Sequence, residues 1–237
     1  MGVILSVEDL HTFIGDFHIL QGISFEALEG EITVLLGRNG AGKTTLMNTI
    51  MGFLPAREGR IIFKGKDITN LPTYERARLG IGYVPAARRI FRSLTVEENL
   101  RIAFRMKDVP FEERLELVLD IFPDLKPALK RKAGHLSGGE QRMLLISRAI
   151  INKNELLLID EPSEGLSPVL VRKLADVILR LKEEASILLV EQNFRLASRI
   201  GDTCYIIDRG RIVHKGPMRE VAENKELIMR YLGVRIT

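Results

Sequence analysis

The stretch Gly37-Arg38-Asn39-Gly40-Ala41-Gly42-Lys43-Thr44 decides the fold class of this 237-residue chain. A short apolar run, Ile32–Leu36, precedes it, and a helical pattern, Lys43–Met51, follows it. That order of strand, turn and helix is the context in which a Gly-rich loop binds phosphate. The glycines let successive backbone N–H groups point at one anion, and the helix N-terminus adds the positive end of its dipole. The stretch therefore predicts a phosphate loop within an α/β fold.

Side chains at the end of this loop carry distinct roles. We expect Lys43 to reach the β- and γ-phosphates of ATP, and the hydroxyl of Thr44 to ligate Mg²⁺. Thr45 is expected to support the α-phosphate side. The rest of the loop would bind phosphate mainly through its backbone, and its residues are Gly37, Arg38, Asn39, Gly40, Ala41 and Gly42. The cofactors implied are ATP and Mg²⁺.

Two acidic residues follow a second buried strand. The apolar run Leu156–Ile159 ends in Asp160 and Glu161, which places two carboxylates where a core strand leaves the sheet. Asp160 is expected to hold Mg²⁺ through water, and Glu161 to polarise the attacking water as general base. A solvated pair of acids at a strand end is the plain alternative, which the preceding phosphate loop disfavours.

A second glycine pair lies in Leu136-Ser137-Gly138-Gly139-Glu140-Gln141, here the Ser-Gly-Gly segment. Ser137 with Glu140 three residues later predicts a capping box at a helix start. The two glycines each cost about 1 kcal/mol of helix stability, which is reasonable where a phosphate must approach the backbone closely. Lys43 already serves the ATP of its own chain, so this second site implies an ATP held by a partner. The residues expected to bind it are Ser137, Gly138, Gly139 and Gln141.

The three motifs in this order resemble those of the ATP-binding subunit of an ABC transporter, over essentially the whole chain. That resemblance implies a head-to-tail dimer with two ATPs, each held between the phosphate loop of one subunit and the Ser-Gly-Gly segment of the other. ATP binding would close the dimer and hydrolysis would reopen it. Coupling helices of membrane subunits would dock on a helical subdomain.

Further segments are similar to the branched-chain amino acid uptake branch of this family. They are Val190-Glu191-Gln192-Asn193, Glu161–Pro168, Arg89-Ile90-Phe91, Leu94–Leu100 and Tyr231-Leu232-Gly233. The resemblance implies the smaller, F-type ATPase subunit, with Gln192 where most relatives have a switch histidine. The amide of Gln192 can still donate to the γ-phosphate. ATPase subunits of urea or short-amide importers look alike, so urea and short amides stay open as alternative substrates.

The resemblance also implies partners and a location. The partners are a second ATPase subunit, either a longer sister or a second copy, two membrane permease subunits and, indirectly, a periplasmic or extracellular solute-binding protein. The chain would lie at the cytoplasmic face of the membrane and would not bind nucleic acid. The alternative within the same family is a soluble ABC-type ATPase that acts on nucleic acid or ribosomes. Relatives in chromosome maintenance carry long coiled coils for which this chain has no room, and translation-linked relatives usually carry two cassettes where this chain has one. A small-molecule P-loop kinase would not need the Ser-Gly-Gly segment.

Two positions depart from the family pattern. Ala86, in the loop after Tyr83, stands where most relatives carry Gln or Glu, so it cannot be a metal ligand. Ile14 stands at the position before Gly15 where the family has an adenine-stacking tyrosine. We therefore expect the neighbouring Phe13 to stack on adenine, with a core role as the alternative.

These patterns predict one ABC ATPase domain over residues 1–237. It would be an α/β P-loop NTPase core, 1–85 and 152–237, with an N-terminal antiparallel β-subdomain and an inserted helical subdomain, 86–151. Helices are predicted at Val96–Met106, Phe111–Ile121 and Gly138–Ile151, between prolines.

Composition sets wider bounds on the protein. The net charge is +4, and the cluster Arg88, Arg89 and Arg92 is most simply a solvated face. Cys204 is the single cysteine, in an apolar run that predicts a buried residue rather than a nucleophile. We expect no membrane span, because no apolar run approaches the roughly 18 residues that one needs, and we see no secretory signal.

Overall fold

Two β-sheets set the architecture in a computed structural model, which describes residues 2–87 and 90–233. Their strands are β1 (Val3–Ile14), β2 (Phe17–Leu28), β3 (Ile32–Leu36), β4 (Glu58–Phe63), β5 (Lys66–Asp67), β6 (Ile81–Val84), β7 (Leu156–Asp160), β8 (Ser186–Glu191), β9 (Thr203–Asp208) and β10 (Arg211–Pro217). One sheet is antiparallel, in the order β2-β1-β4-β5. The other has the order β10-β9-β3-β8-β7-β6 and is parallel except for β10 at its edge.

Helices cover the faces of the parallel sheet. They are α1 (Lys43–Met51), α2 (Thr73–Arg78), α3 (Val96–Ala103), α4 (Phe111–Ile121), α5 (Gly138–Ile150), α6 (Pro168–Leu181), α7 (Phe194–Ile200), α8 (Met218–Glu223) and α9 (Lys225–Leu232), with 3₁₀ turns at Pro123–Ala128 and Ala133–His135. No helix in the described ranges combines the length and the apolar character that a bilayer span requires.

The central strand β3 is buried on both faces, and its successive side chains point alternately into two hydrophobic cores. Val34 and Leu36 pack with the core that contains α4 to α7, while Leu35 packs with the core that contains β1, β2 and α1. β7 behaves in the same way, with Leu157 on the first core and Leu158 on the second. The strands that carry the predicted motifs are therefore fixed from both sides.

Parallel pairing places the motifs at one edge of the sheet. β3 pairs with β8, and β8 pairs with β7. The carboxyl ends of these three strands lie side by side, where α/β sheets bind their ligands. They lead into the phosphate loop, the Asp160–Glu161 pair and Gln192.

The predicted α/β arrangement with an antiparallel N-terminal sheet is confirmed, with several differences in detail. β1 and β2 meet in a hairpin in which Ile14 pairs with Phe17. β6 was not predicted, because it is short and contains Gly82. A Cβ on Gly82 would lie 2.7 Å from a methyl of Leu157, so this glycine is needed for close packing against β7.

The helical segment lies between β6 and β7, as the order of elements shows. α4 has the expected bounds, α5 ends one residue before the predicted Ile151, and α3 ends at Ala103 instead of Met106. The proposed limits of the core and of the helical subdomain stay a prediction. Arg88 and Arg89, which belong to the basic cluster and to the family-like segment, lie outside the described residues.

Candidate nucleotide-binding site

The phosphate loop connects β3 to α1 and is packed tightly against its neighbours. A Cβ on Gly37 would lie 2.6 Å from the carbonyl oxygen of Ile207, so β9 leaves room only for glycine there. Gly42 is the N-cap of α1 in the left-handed region, with φ 105°. Only glycine adopts that backbone without strain. The loop is therefore curled, with Arg38, Asn39 and Gly40 exposed.

Lys43 lies at the centre of this loop and is only 4% exposed. Its Nζ donates to the carbonyl oxygens of Gly37 (2.9 Å) and Arg38 (3.0 Å). It also forms an ion pair with Oε1 of Glu161 at 2.9 Å. The structure thus brings together the predicted phosphate-binding lysine and the predicted general base.

Asp160 is fully buried at the end of β7. Neither of its carboxylate oxygens makes a hydrogen bond of normal geometry with a described residue. Burial raises the pKa of Asp160 to about 6, and the charge of Glu161 adds to the rise; the Thr44 hydroxyl and Lys43 oppose it. An acid so placed is stabilised in its charged form by a cation.

Thr44 and Asp160 therefore suit a hard divalent cation that takes oxygen ligands. Thr44 is exposed in the first turn of α1, beside that carboxylate. The described residues contain no group of three His, Cys, Asp or Glu side chains that could hold a metal alone. Phosphate oxygens would have to complete the coordination, as they do for Mg²⁺ in many nucleotide sites.

A cleft of about 300 Å³ opens beside these groups. It is lined by Asn39, Glu161, Ser163, Glu164, Glu191, Gln192 and Asn193. A larger cleft of about 410 Å³ lies between α6 and α7. We place the site at the smaller one, because it is lined by Glu161, which pairs with Lys43, and by the exposed Gln192.

The Ser-Gly-Gly segment does not line this cleft. The predicted capping box is confirmed: Ser137 Oγ accepts from the Glu140 N–H (3.3 Å), and Glu140 Oε2 accepts from the Ser137 N–H (2.6 Å). Ser137 is exposed and Gly138 is half-buried, while Gln141 Nε2 donates to the Leu136 carbonyl at 3.0 Å.

Gly139 has a packing role that the sequence analysis did not foresee. A Cβ there would lie 2.9 Å from a methyl of Leu170 on α6. The glycine is therefore needed where α5 passes α6, independently of any phosphate. Gly138 and the exposed Ser137 remain the predicted anion contacts at this helix start.

Comparison with known proteins identifies the chain's relatives. Residues 20–164, more than half of the chain, match the family model described as ABC transporter. The chain belongs to the ABC transporter family. It is 40% identical to the high-affinity branched-chain amino acid transport ATP-binding protein BraG of Pseudomonas aeruginosa, over 97% of this chain and 99% of BraG. It is 38% identical to the probable branched-chain amino acid transport ATP-binding protein LivF of Archaeoglobus fulgidus, over 92% and 94%.

A solved structure agrees with this assignment. The ADP conformation of MJ1267, an ATP-binding cassette of an ABC transporter, superimposes with a TM-score of 0.87. It is 29% identical, over 99% of this chain and 100% of that one. As a member of this family the chain binds nucleotide and hydrolyses ATP.

The loop that contains Ala86 is held by a basic side chain in this ABC transporter ATPase. Arg142 on α5 is 2% exposed, and its Nη1 donates to the carbonyl oxygen of Ala86 at 3.1 Å. Ala86 has no side-chain oxygen for a metal or a water. The backbone of the loop nevertheless keeps a direct link to the helix that begins at the Ser-Gly-Gly segment.

Cys204 is buried in β9 of this ABC transporter chain, as predicted. Burial raises the pKa of its thiol to about 12, which makes it a poor nucleophile.

The adenine contact predicted for this ABC transporter chain falls at the hairpin between β1 and β2. The ring of Phe13 stacks on His18, with centroids 4.2 Å apart, and the guanidinium of Arg57 lies 4.9 Å from the Phe13 centroid. Phe17 is 76% exposed and pairs with Ile14 across the turn. Phe13 therefore belongs to a ring stack at the surface rather than to the core.

We expect Phe13→Ala to weaken ATP and ADP binding by about 5- to 150-fold, the loss of one base–aromatic stack. Binding of inorganic triphosphate should not change, because it has no base. Isothermal titration of both ligands checks this, with Phe17→Ala as the matched variant. A larger loss of ATP affinity in Phe17→Ala would move the stacking role to Phe17.

We expect Lys43→Ala to reduce ATP affinity by about 10- to 150-fold, because each charge-assisted phosphate contact is worth roughly 1.5–3 kcal/mol. Titration with ATP measures the loss, and Lys66→Ala, an exposed lysine on β5, serves as control. Undiminished affinity in Lys43→Ala would contradict the phosphate role. Unfolding curves of both variants should be compared, since Lys43 is buried.

Proposed function

We propose that the chain is the ATP-hydrolysing subunit of an importer for branched-chain amino acids. The observation that carries this proposal is the match to BraG along nearly the full length of both proteins. LivF, named for the same transport, supports it over a similar span. Relatedness at this level favours branched-chain amino acids over urea or short amides as the substrate.

ATP would bind with its β- and γ-phosphates on the phosphate loop and on Lys43. Mg²⁺, held by Thr44, by Asp160 through water and by the phosphates, would offset the phosphate charge. Glu161 would accept a proton from the attacking water, and the amide of Gln192 would donate to the γ-phosphate. The cleft beside Glu161 and Gln192 has room for these groups.

The Ser-Gly-Gly segment would act on the ATP of another ATPase subunit. Ser137 is exposed and lies outside the chain's own cleft, which supports a site shared between two subunits. The second subunit would be a longer sister or a second copy. The pair would sit on two permease subunits at the cytoplasmic face of the membrane, served indirectly by a solute-binding protein.

Uptake measurements on cells test this function. Deletion of the coding sequence should abolish the uptake of labelled leucine, isoleucine and valine, and the wild-type chain should restore it. Lys43→Ala should fail to restore it, while Lys66→Ala should succeed. If the deletion lowers urea or acetamide uptake instead, the substrate proposal is wrong and the alternative importer is correct.

Purification from membranes tests the partners. A tagged chain should co-purify with a second ATPase subunit and two permease subunits. Recovery of ribosomal proteins or nucleic acid in their place would contradict an importer.

A further inference from the structure

Glu191 is a buried carboxylate that the proposed reaction does not use. It ends β8, one residue before Gln192, and is 1% exposed. No described Lys, Arg or His side chain lies within ion-pair distance of it. Burying a carboxylate without a cation is costly unless hydrogen bonds satisfy its oxygens. The contacts of Glu191 should therefore explain why it is there.

Three backbone N–H groups in two loops donate to this carboxylate. Oε1 accepts from the N–H of Ser163 at 3.0 Å. Oε2 accepts from the N–H groups of Gln192 at 3.1 Å and Asn193 at 3.0 Å. A carboxylate is an acceptor only, so it matches a set of donors that an amide could not fully satisfy. One side chain thus links the loop after Glu161 to the loop that carries Gln192.

The backbone of Glu191 extends this connection to the phosphate loop. Its carbonyl oxygen accepts from the N–H of Gly37, the first residue of that loop, at 3.3 Å. β8 also pairs with β3 in register, with Glu191 opposite Leu36. The same residue therefore contacts all three segments that line the nucleotide cleft.

Glu161 needs such support, because its backbone is strained. Its φ is 44°, in the left-handed region that a residue with a Cβ rarely occupies. Strain of this kind persists only where neighbouring contacts fix the backbone. The Glu161 N–H donates to the Val190 carbonyl at 2.9 Å, and two residues later the Ser163 N–H donates to Glu191. These two hydrogen bonds fix the backbone at the strained residue Glu161 and two residues after it.

We propose that Glu191 is a positioning residue whose carboxylate fixes the backbone of the Glu161 loop against the backbone of Gln192. The general base and the γ-phosphate donor are then held at one separation and move as one unit. The inference rests on the proposed roles of Glu161 and Gln192. It adds a residue whose side chain acts through the backbone of these two groups.

Glu191→Gln tests this role with almost no change of volume. Its amide has one acceptor oxygen, and its NH₂ group faces backbone donors on the other side, so one loop loses its bond. We expect kcat for ATP to fall about 10- to 100-fold, because a displacement of about 1 Å at a reacting group has that effect. KM for ATP and the Kd for ADP should stay within about two-fold, because Lys43 and the phosphate loop are unchanged.

Amide hydrogen exchange reports on the positioning itself. In Glu191→Gln, the amides of Ser163, Gln192 or Asn193 should exchange about 10-fold faster, since each loses a bond to a charged acceptor. Amides within β7 and β8 should keep their wild-type rates. Glu183→Gln, an exposed glutamate after α6, is the matched control and should leave both measurements unchanged.

Glu191→Asp provides a second variant. Its carboxylate keeps the charge but is one methylene shorter, so it reaches one loop only, and kcat should again fall. An unchanged kcat in both variants would overturn the proposal. A fall in kcat that comes with weaker ADP binding and with faster amide exchange throughout the sheet would also overturn it. That pattern is expected if Glu191 only stabilises the fold.

The two proposals fail in different ways. If the wild-type chain gives no turnover, the proposed reaction is at fault, and the exchange rates of Ser163 and Asn193 still decide whether Glu191 joins the loops. If the wild-type chain is active and those amides do not respond to Glu191→Gln, the positioning role is wrong and the proposed function stands.

Discussion

Replacing Glu161 by glutamine is expected to lower ATP turnover by about 10²- to 10⁴-fold, the usual contribution of a positioned general base. The amide cannot accept the proton of the attacking water. It also ends the ion pair with Lys43, which keeps its bonds to the carbonyl oxygens of Gly37 and Arg38. ATP affinity should therefore be retained or increased. Steady-state hydrolysis together with an ATP titration measures both effects.

The same variant reports on the shared site. With ATP bound and not cleaved, two chains should remain together, so light scattering on a sizing column should show a dimer only with Mg-ATP. Glu184→Gln, an exposed glutamate remote from the cleft, is the control and should keep wild-type turnover. Normal turnover in Glu161→Gln would rule out the general base. A monomer that still binds ATP would indicate that a sister subunit is required.

Asp160→Asn is expected to make the protein more stable and, at the same time, to abolish its ATP turnover. Each pKa unit is worth about 1.4 kcal/mol, so a pKa raised from 3.8 to about 6 corresponds to roughly 3 kcal/mol. Because the folded pKa is the higher one, stability falls as pH rises from about 4 to 6, and the full cost applies above pH 6. Asparagine carries no charge and removes that cost.

Urea unfolding in EDTA, without nucleotide, tests this expectation. At pH 8 the variant should exceed the wild type by up to about 3 kcal/mol in unfolding free energy, and by clearly less at pH 5. Turnover with Mg-ATP should be lost, because the carboxylate that suits the cation is gone. Asp108→Asn, an exposed aspartate, should change neither property. A gain that is equal at both pH values would show that ionisation of Asp160 is not its source.

Local signals predicted much of this fold. α4 has its expected bounds because Pro110 sets its start and Pro123 follows its end. The capping box of Ser137 and Glu140 forms as the spacing predicts. The apolar strands before the phosphate loop and before Asp160 could be read from composition alone, since buried parallel strands are apolar throughout.

Contacts between distant segments could not be predicted in this way. Gly139 is needed because of Leu170, and Gly82 because of Leu157; both depend on how elements pack. Glu191 was visible only as a charged residue at the end of an apolar strand. That signal marks an unusual position, but its partners at Ser163 and Asn193 come from the fold. The ion pair between Lys43 and Glu161 joins residues far apart in the chain and could not be foreseen either.

That ion pair would make nucleotide entry an exchange of counter-ions. The N–H donors of the Lys43 ammonium are taken up by the Gly37 and Arg38 carbonyls and by Oε1 of Glu161. A phosphate oxygen that took the place of Oε1 would leave the Glu161 carboxylate available to a water molecule as the phosphate arrives. The base would then stay occupied until a nucleotide is bound, and readiness for hydrolysis would be tied to occupancy by the charge balance of one buried lysine.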